Sequence, residues 1–68
     1  MKVISGREFV KILEKKGWKL VRIKGSHHIY MEEGNPARIS VPIHGNKPLK
    51  KGLLKYFMKI AGIKEDEL

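Results

Sequence analysis

The 68-residue sequence predicts an α+β fold in the order α-β-β-β-α, with two amphipathic helices on one face of a three-stranded antiparallel sheet. Apolar residues recur with helical spacing near both ends of the chain, and the middle of the chain alternates with the period of two that strands require. Turn signals separate the predicted strands. Because there is no internal repeat and no linker, we expect one domain over residues 1–68.

The first helix is predicted to begin at a capping box. Ser5 and Glu8 have the S-x-x-E spacing in which the hydroxyl and the carboxylate each bind a backbone amide at a helix start. The apolar face of this helix has the spacing i, i+3, i+4 and consists of Phe9, Ile12 and Leu13. Gly17 suits the left-handed position that ends a helix, and Trp18 follows it as a hydrophobic partner that packs against the helix end.

Three short strands are predicted in the middle of the chain, at residues 19–24, 27–31 and 37–41. We expect the first of them to be half-buried, because β-branched residues lie on one of its sides. Gly25-Ser26 and residues 33–36 are the turn signals that separate the strands, and Pro42 ends the third.

The second helix is predicted to begin near Asn46 and Pro48, which would supply an asparagine cap and a proline in the first turn. Gly62 is expected to end it. The predicted core face consists of Leu49, Leu53, Phe57 and Ile60. A second stripe repeats every four residues and carries only positive charge: Lys47, Lys51, Lys55 and Lys59.

The chain is strongly basic, with 15 Lys and Arg against 7 Asp and Glu, a net charge of +8 and a pI of about 10.0. Charge of this density favours a polyanionic partner, and nucleic acid ranks ahead of a membrane surface because the lysines are spread over several elements. The positive charge lies in residues 2–24 and 47–59. These two basic segments flank a nearly neutral middle that contains all three histidines.

Length and composition exclude several classes of protein. The chain is too short to hold a dinucleotide-binding unit together with a substrate domain. It has no Cys, so disulfides and thiolate metal sites are excluded. No apolar run approaches the roughly 18 residues that span a bilayer. We therefore expect a cytoplasmic protein with no membrane association and no cofactor.

Several short motifs follow one another along the chain: Gly17-Trp18, Val21-Arg22, Lys24-Gly25-Ser26-His27-His28-Ile29-Tyr30, Val41-Pro42, Leu49-Lys50-Lys51-Gly52 and Leu53 to Gly62. In order and spacing they resemble the HicA family of toxins, also called YcfA-like, from about Ser5 to Ile63. The resemblance implies a double-stranded-RNA-binding-domain-like fold and the activity of a ribosome-independent mRNA interferase. It also implies inhibition by a partner antitoxin, HicB.

The resemblance further implies that the Gly-Ser-His at the start of the second strand carries the active site, with His27 as the catalytic residue. The residues alone leave His27 and His28 as equal alternatives. Consecutive strand residues point to opposite faces, so both reach one phosphate only if a bulge after the turn breaks the alternation. Gly25 and Ser26 are either a turn alone or a segment that lets the backbone approach the phosphate and orients His27.

Cleavage of RNA needs no metal in principle, because the 2′-hydroxyl is a built-in nucleophile. It needs a base, an acid and nearby cations, and the pKa of an imidazole suits both proton transfers near neutral pH. Three His without a Cys or a suitably spaced acid do not form a recognisable zinc site, so we predict no metal site. His44 is interpreted as a loop residue.

The residues predicted to bind RNA are Lys24, Tyr30, Lys47, Lys50, Lys51, Lys55 and Lys59. The lysines are proposed because cations attract phosphates, and Tyr30 is proposed because an exposed aromatic ring stacks on bases. An alternative use of the lysines on the second helix is docking an acidic antitoxin surface, and the two uses are compatible. A non-catalytic RNA-binding module of the same fold is the alternative function, and a DNA-binding domain that uses the second helix ranks below it. The sequence leaves the oligomeric state open.

Overall fold

The computed structural model describes residues 2–68. The helices are α1 (Gly6–Lys15) and α2 (Lys51–Ala61), and the strands are β1 (Lys19–Lys24), β2 (His27–Glu32) and β3 (Asn35–Pro42). A short 3₁₀ helix, Glu65–Glu67, follows α2. The strands form one antiparallel sheet in the order β1-β2-β3. The predicted fold class and element order are therefore confirmed.

The capping box at the start of α1 is present. The Ser5 hydroxyl accepts a hydrogen bond from the Glu8 backbone N–H at 3.1 Å, and the Glu8 carboxylate accepts one from the Ser5 N–H at 3.0 Å. The backbone hydrogen bond from Ser5, followed by the one from its hydroxyl, lowers the pKa of Glu8 below its usual value. Two backbone donors that the helix leaves unpaired are satisfied in this way.

The end of α1 also forms as predicted. Gly17 has a φ of 98°, in the left-handed region, and its N–H donates to the Glu14 carbonyl at 3.1 Å. The Trp18 N–H donates to the Leu13 carbonyl at 3.0 Å. This pair of bonds satisfies carbonyls at the helix end and turns the chain so that Trp18 packs into the core.

The core lies between the two helices and one face of the sheet. Its sheet side consists mainly of Tyr30 on β2 and of Ile39 and Val41 on β3, all of which are buried. On the helix side, the rings of Phe9 and Phe57 stack with their centroids 5.8 Å apart. Both α1 and α2 pack against β3.

The strand β1 is exposed along its whole length, so the prediction that it is half-buried is wrong. The exposed fraction is 42% for Leu20, 49% for Val21 and 56% for Ile23. The physical reason is that β1 is an edge strand and the helices pack over β3, on the far side of β2.

The pairing of β1 with β2 shifts between Leu20 and Arg22, which leaves Val21 as a bulge. Leu20 pairs with the buried Tyr30 and therefore faces the helices. After the bulge, Arg22 pairs with Ile29. The bulge thus places Arg22 on the opposite face from Leu20, although strict alternation puts the two on the same side.

The helix α2 begins at Lys51, so the prediction of a start near Asn46 and Pro48 is wrong. Pro48 forms an isolated antiparallel bridge with Ser5, and the Leu49 N–H donates to the Ile4 carbonyl at 2.8 Å. These contacts hold residues 48 and 49 in extended backbone, which delays the helix. Its N-cap residue, Lys50, makes no capping hydrogen bond through its side chain.

The core face of α2 is rotated from the predicted one. Leu54, Phe57 and Met58 are buried, whereas Leu53 and Ile60 are only partly buried. Leu49 is buried too, but it precedes the helix. Gly62 ends α2 in the left-handed conformation, as predicted, with a φ of 67°. Among residues 2–68, no helix is long and apolar enough to cross a membrane.

Gly6 fixes the start of α1 against the end of β3. It is buried, and a Cβ atom added to it would collide with the Pro42 carbonyl oxygen. A residue with a side chain at this position would therefore separate α1 from the end of the strand.

Two matched substitutions test this contact. We expect Gly6→Ala to lower the free energy of unfolding by about 1–3 kcal/mol, because the added methyl group meets rigid backbone. Gly52→Ala, at a helical position with open space around its Cβ, should raise it by about 0.4–1 kcal/mol. Urea unfolding followed by circular dichroism measures both. Equal effects of the two substitutions would contradict the close approach at Gly6.

Candidate active site

His27 lies at the beginning of β2, directly after the two-residue turn of Gly25 and Ser26. Gly25 has a φ of 59°, and glycine at the first central position is what a type II′ hairpin turn requires. The Ser26 carbonyl accepts a hydrogen bond from the Ile43 N–H at 2.8 Å, which ties the turn to the residue that follows β3. The turn therefore holds the start of β2 between its two neighbours.

The structure places His27 and His28 on opposite faces of the sheet. His28 pairs with Val41, which is buried under the helices, and His28 is itself half-buried. His27 is exposed and pairs with Lys24 and Pro42 on the face that no helix covers. The pairing has no bulge at this point, so the two imidazoles do not reach the same phosphate.

The ring of His27 contacts Ser40 on β3. The Nδ1 atom lies 3.1 Å from the Ser40 hydroxyl oxygen, a hydrogen bond whose direction depends on the tautomer of the ring. Ser40 pairs with Ile29 and therefore lies on the same uncovered face as His27. Since Nδ1 is engaged by Ser40, Nε2 is the nitrogen that is available to a ligand.

Four cations lie on what we call the open face, the sheet surface opposite the helices, and two of them, Lys24 and Arg22, lie near His27. Among the paired positions of β1 and β3, this face carries no carboxylate. Its cations, all exposed, are Lys19, Arg22, Lys24 and Arg38. An exposed imidazole among cations is an arrangement that attracts an anion and can exchange a proton with it.

Tyr30 is 2% exposed, and the prediction that it contacts RNA is therefore wrong for this structure. Its pairing with Ile39 places the ring under the helices as part of the core. Burial, together with the neighbouring Glu14 carboxylate, raises the pKa of its hydroxyl. Alternation along β2 puts Tyr30 on the same face as His28, but only the position of the helices shows which of the two faces is covered.

The other residues predicted to bind RNA are all exposed. Lys24 is the cross-strand neighbour of His27. Lys47 and Lys50 lie in the loop before α2, and Lys51, Lys55 and Lys59 lie along that helix. Lys47 is therefore not part of a helical stripe, and the three lysines on α2 belong to the helix layer, on the other side of the sheet from the open face.

Four residues of the open face were missed by the sequence analysis: Lys19, Arg22, Arg38 and Ser40. Lys19 was missed because alternation puts it on the side opposite Lys24, and only the bulge at Val21 brings it to the same face. Arg22 could have been found from Lys24, since the two are two residues apart on one strand. Ser40 could have been found by counting back two residues from Pro42, once the β2–β3 turn had suggested a register. Within residues 2–68, no three His, Cys, Asp or Glu side chains are grouped so that they could hold a metal ion.

Residues 6–63 match the family model described as "HicA toxin of bacterial toxin-antitoxin". The chain belongs to the HicA toxin family. This HicA chain also matches a solved structure titled "HicA3 and HicB3 toxin-antitoxin complex", with a TM-score of 0.76 and 35% sequence identity. The match covers 90% of this chain and 97% of that one. Comparison with curated proteins gave no match. The family predicted from the motifs is therefore confirmed.

The contact between His27 and Ser40 can be tested directly in this HicA chain. Ser40→Ala removes the hydroxyl, so we expect the ¹⁵N resonance of His27 Nδ1 to shift, because that nitrogen loses its hydrogen-bond partner in either tautomer. Long-range ¹H–¹⁵N correlation spectra of the imidazoles measure this shift, with His28 and His44 as internal controls. Ser40→Thr should retain the original resonance. An unchanged His27 spectrum in Ser40→Ala would contradict the contact.

Proposed function

We propose that this chain is the toxin of a HicAB-type pair and that it acts as an endoribonuclease, an mRNA interferase, with His27 as general base or acid. The observation that carries the proposal is the exposed imidazole of His27 on the open face. Its Nδ1 is held by Ser40, and it lies among cations. RNA as substrate implies action in the cytoplasm.

The reaction that suits these groups is transphosphorylation within the RNA strand. The 2′-oxygen forms a bond to the adjacent phosphorus while the bond from phosphorus to the 5′-oxygen breaks, which leaves a 2′,3′-cyclic phosphate and a 5′-hydroxyl. The imidazole Nε2 of His27 either takes the proton from the 2′-hydroxyl or gives one to the leaving 5′-oxygen. A second group, a lysine or a water molecule, performs the other transfer.

Arg22 and Lys24 are the cations best placed to support this reaction. Lys24 pairs with His27, and Arg22 lies two residues before Lys24 on the same face. As negative charge develops on the phosphorane, nearby fixed cations stabilise it more than they stabilise the ground state. Their second role is to hold the backbone phosphates of the substrate.

The partner that we propose is a HicB-type antitoxin. The support is the matching structure, which is titled as a complex of HicA3 with HicB3. An antitoxin that covers the open face would exclude RNA from His27 and would inhibit the toxin directly. The lysines that follow β3 and those on α2 offer a further basic surface, for RNA or for an acidic region of the antitoxin.

The catalytic assignment is tested by replacing each of the two neighbouring histidines. We expect His27→Ala to lose RNA cleavage by a factor of at least about 10² while it keeps its fold and its affinity for RNA, because only proton transfer is removed. His28→Ala is the matched control and should retain most of the activity. Cleavage of a labelled transcript and gel-shift titration measure the two properties. Loss of activity in His28→Ala alone would overturn the assignment.

The same assay tests our proposal that cleavage needs no metal ion. Wild-type protein in EDTA should cut RNA at the rate seen without EDTA. RNA that stays intact until Mg²⁺ is added would contradict a metal-independent reaction. RNA that is bound but never cut, with or without the ion, would favour the non-catalytic RNA-binding module instead.

The role of the open face in binding is tested by removing two of its cations. Arg22→Ala combined with Lys24→Ala should weaken RNA binding, and the slope of log affinity against log salt should fall by about one to two. Lys11→Ala combined with Lys15→Ala, on exposed positions of α1, removes the same charge from a different surface and should change the slope little. Equal losses in both double variants would show that only net charge matters.

A further inference from the structure

A cleft lies beside the proposed active site, between the loop that follows β3 and the beginning of α2. Its volume is about 520 Å³, within the range of small-molecule sites. Pro48, Leu49 and Leu53 supply an apolar wall. His44, Lys47 and Lys50 supply the polar groups, and no acid is among the lining residues. The cleft therefore offers an apolar surface and a positively charged rim to the same ligand.

The cleft shares one residue with the surroundings of His27. Pro42 lines the cleft and is also the cross-strand partner of His27. The Cα atoms of such partners lie about 4.5–5.5 Å apart. The cleft therefore begins at the strand position next to His27, close enough for the nucleotide that neighbours the one held at His27 to reach it.

Backbone hydrogen bonds form the cleft before any ligand arrives. The Leu49 N–H donates to the Ile4 carbonyl at 2.8 Å, and Pro48 bridges to Ser5. The Lys47 N–H donates to the His44 carbonyl at 3.0 Å, which closes the turn that carries both side chains. The entropy lost by ordering the loop when a ligand binds here is therefore small.

We infer that this cleft binds one nucleotide of the substrate RNA, adjacent to the nucleotide that is cleaved. The base lies on the wall of Pro48, Leu49 and Leu53, and the phosphate is bound by Lys47 and Lys50. The inference rests on the proposed function and extends it in two ways. The substrate is single-stranded at this point, since a base that enters the cleft has left its stack, and the flanking base contributes to the choice of cleavage site.

The inference is tested by titrating ¹⁵N-labelled protein with each of the four nucleoside 3′,5′-bisphosphates and with the matching ribose 3,5-bisphosphate that lacks a base, at constant ionic strength. The backbone amides of Leu49, Lys50 and Leu53 should shift. At least one nucleoside bisphosphate should bind at least tenfold more tightly than the base-free compound, because the charge is the same and only the base uses the apolar wall. Equal affinity for the base-free compound and for all four nucleoside bisphosphates would overturn the inference, and so would shifts confined to Arg22, Lys24 and His27.

Variants distinguish binding by the cleft from a general effect of the protein's positive charge. Lys47→Ala combined with Lys50→Ala should weaken binding of the preferred bisphosphate at least tenfold. Lys11→Ala combined with Lys15→Ala loses the same charge on α1 and should leave it unchanged. Leu53→Glu, which places a negative charge on the partly exposed apolar wall, should also weaken binding, and thermal unfolding shows whether each variant is folded. Unaltered binding in the Lys47/Lys50 variant would overturn the inference.

Cleavage of an RNA pool of random sequence distinguishes two outcomes. Either the inference about the cleft is wrong, or the proposed ribonuclease function is wrong. Wild-type protein should show a base preference next to the cut, and the Lys47/Lys50 variant should lose it. If both proteins cut at the same sites with the same preference, the cleft has no part in substrate choice although the chain is a ribonuclease. If wild-type protein cuts nothing, the proposed function fails, and the bisphosphate titration by itself decides whether the cleft binds a nucleotide.

Discussion

Burial of Ile39 and Val41 beneath α1 and α2 decides which face of the sheet is covered, and the remaining arrangement of this HicA chain depends on it. Side chains in paired antiparallel strands share a face, so the burial of two residues on β3 assigns a side to each position of β2. Tyr30 and His28 are placed towards the helices by this rule, and His27 towards solvent. The exposure of the proposed catalytic residue is thus a consequence of where the core formed.

The edge strand β1 supplies most of the positive charge on the open face. Its side chains are exposed, so its cations carry no burial cost, and the bulge at Val21 puts Lys19 on the same face as Arg22, Lys24 and His27. Lysine and arginine on an edge strand also discourage pairing with other chains. The same residues therefore suit both solubility and the binding of a polyanion.

The end of the sheet near His27 is held by contacts that come from distant parts of the chain. Gly6 allows α1 to approach Pro42 closely, Pro48 bridges to Ser5, and the Ile43 N–H binds the Ser26 carbonyl. These contacts join the turn before β2, the end of β3 and the loop before α2. Because backbone atoms make most of them, the positions of His27 and of the cleft depend little on flexible side chains.

Several features of the structure could be predicted from the sequence, because they depend on local interactions. The capping box of Ser5 and Glu8, the left-handed Gly17 and Gly62, and the turn at Gly25 each depend on residues close together in the chain. The order of elements, and the opposite faces of His27 and His28, followed from the helix and strand periods. The motifs identified the family, which the match over residues 6–63 confirms.

Long-range packing decided the rest. No local pattern shows that β1 lies outside the helices, that Val21 bulges, or that Tyr30 faces the core. The late start of α2 depends on Ile4, which lies more than forty residues before Leu49. The sequence by itself thus determined the elements and their chemistry. Only the tertiary structure determined which side chains share a surface, because that depends on register and on where the helices dock.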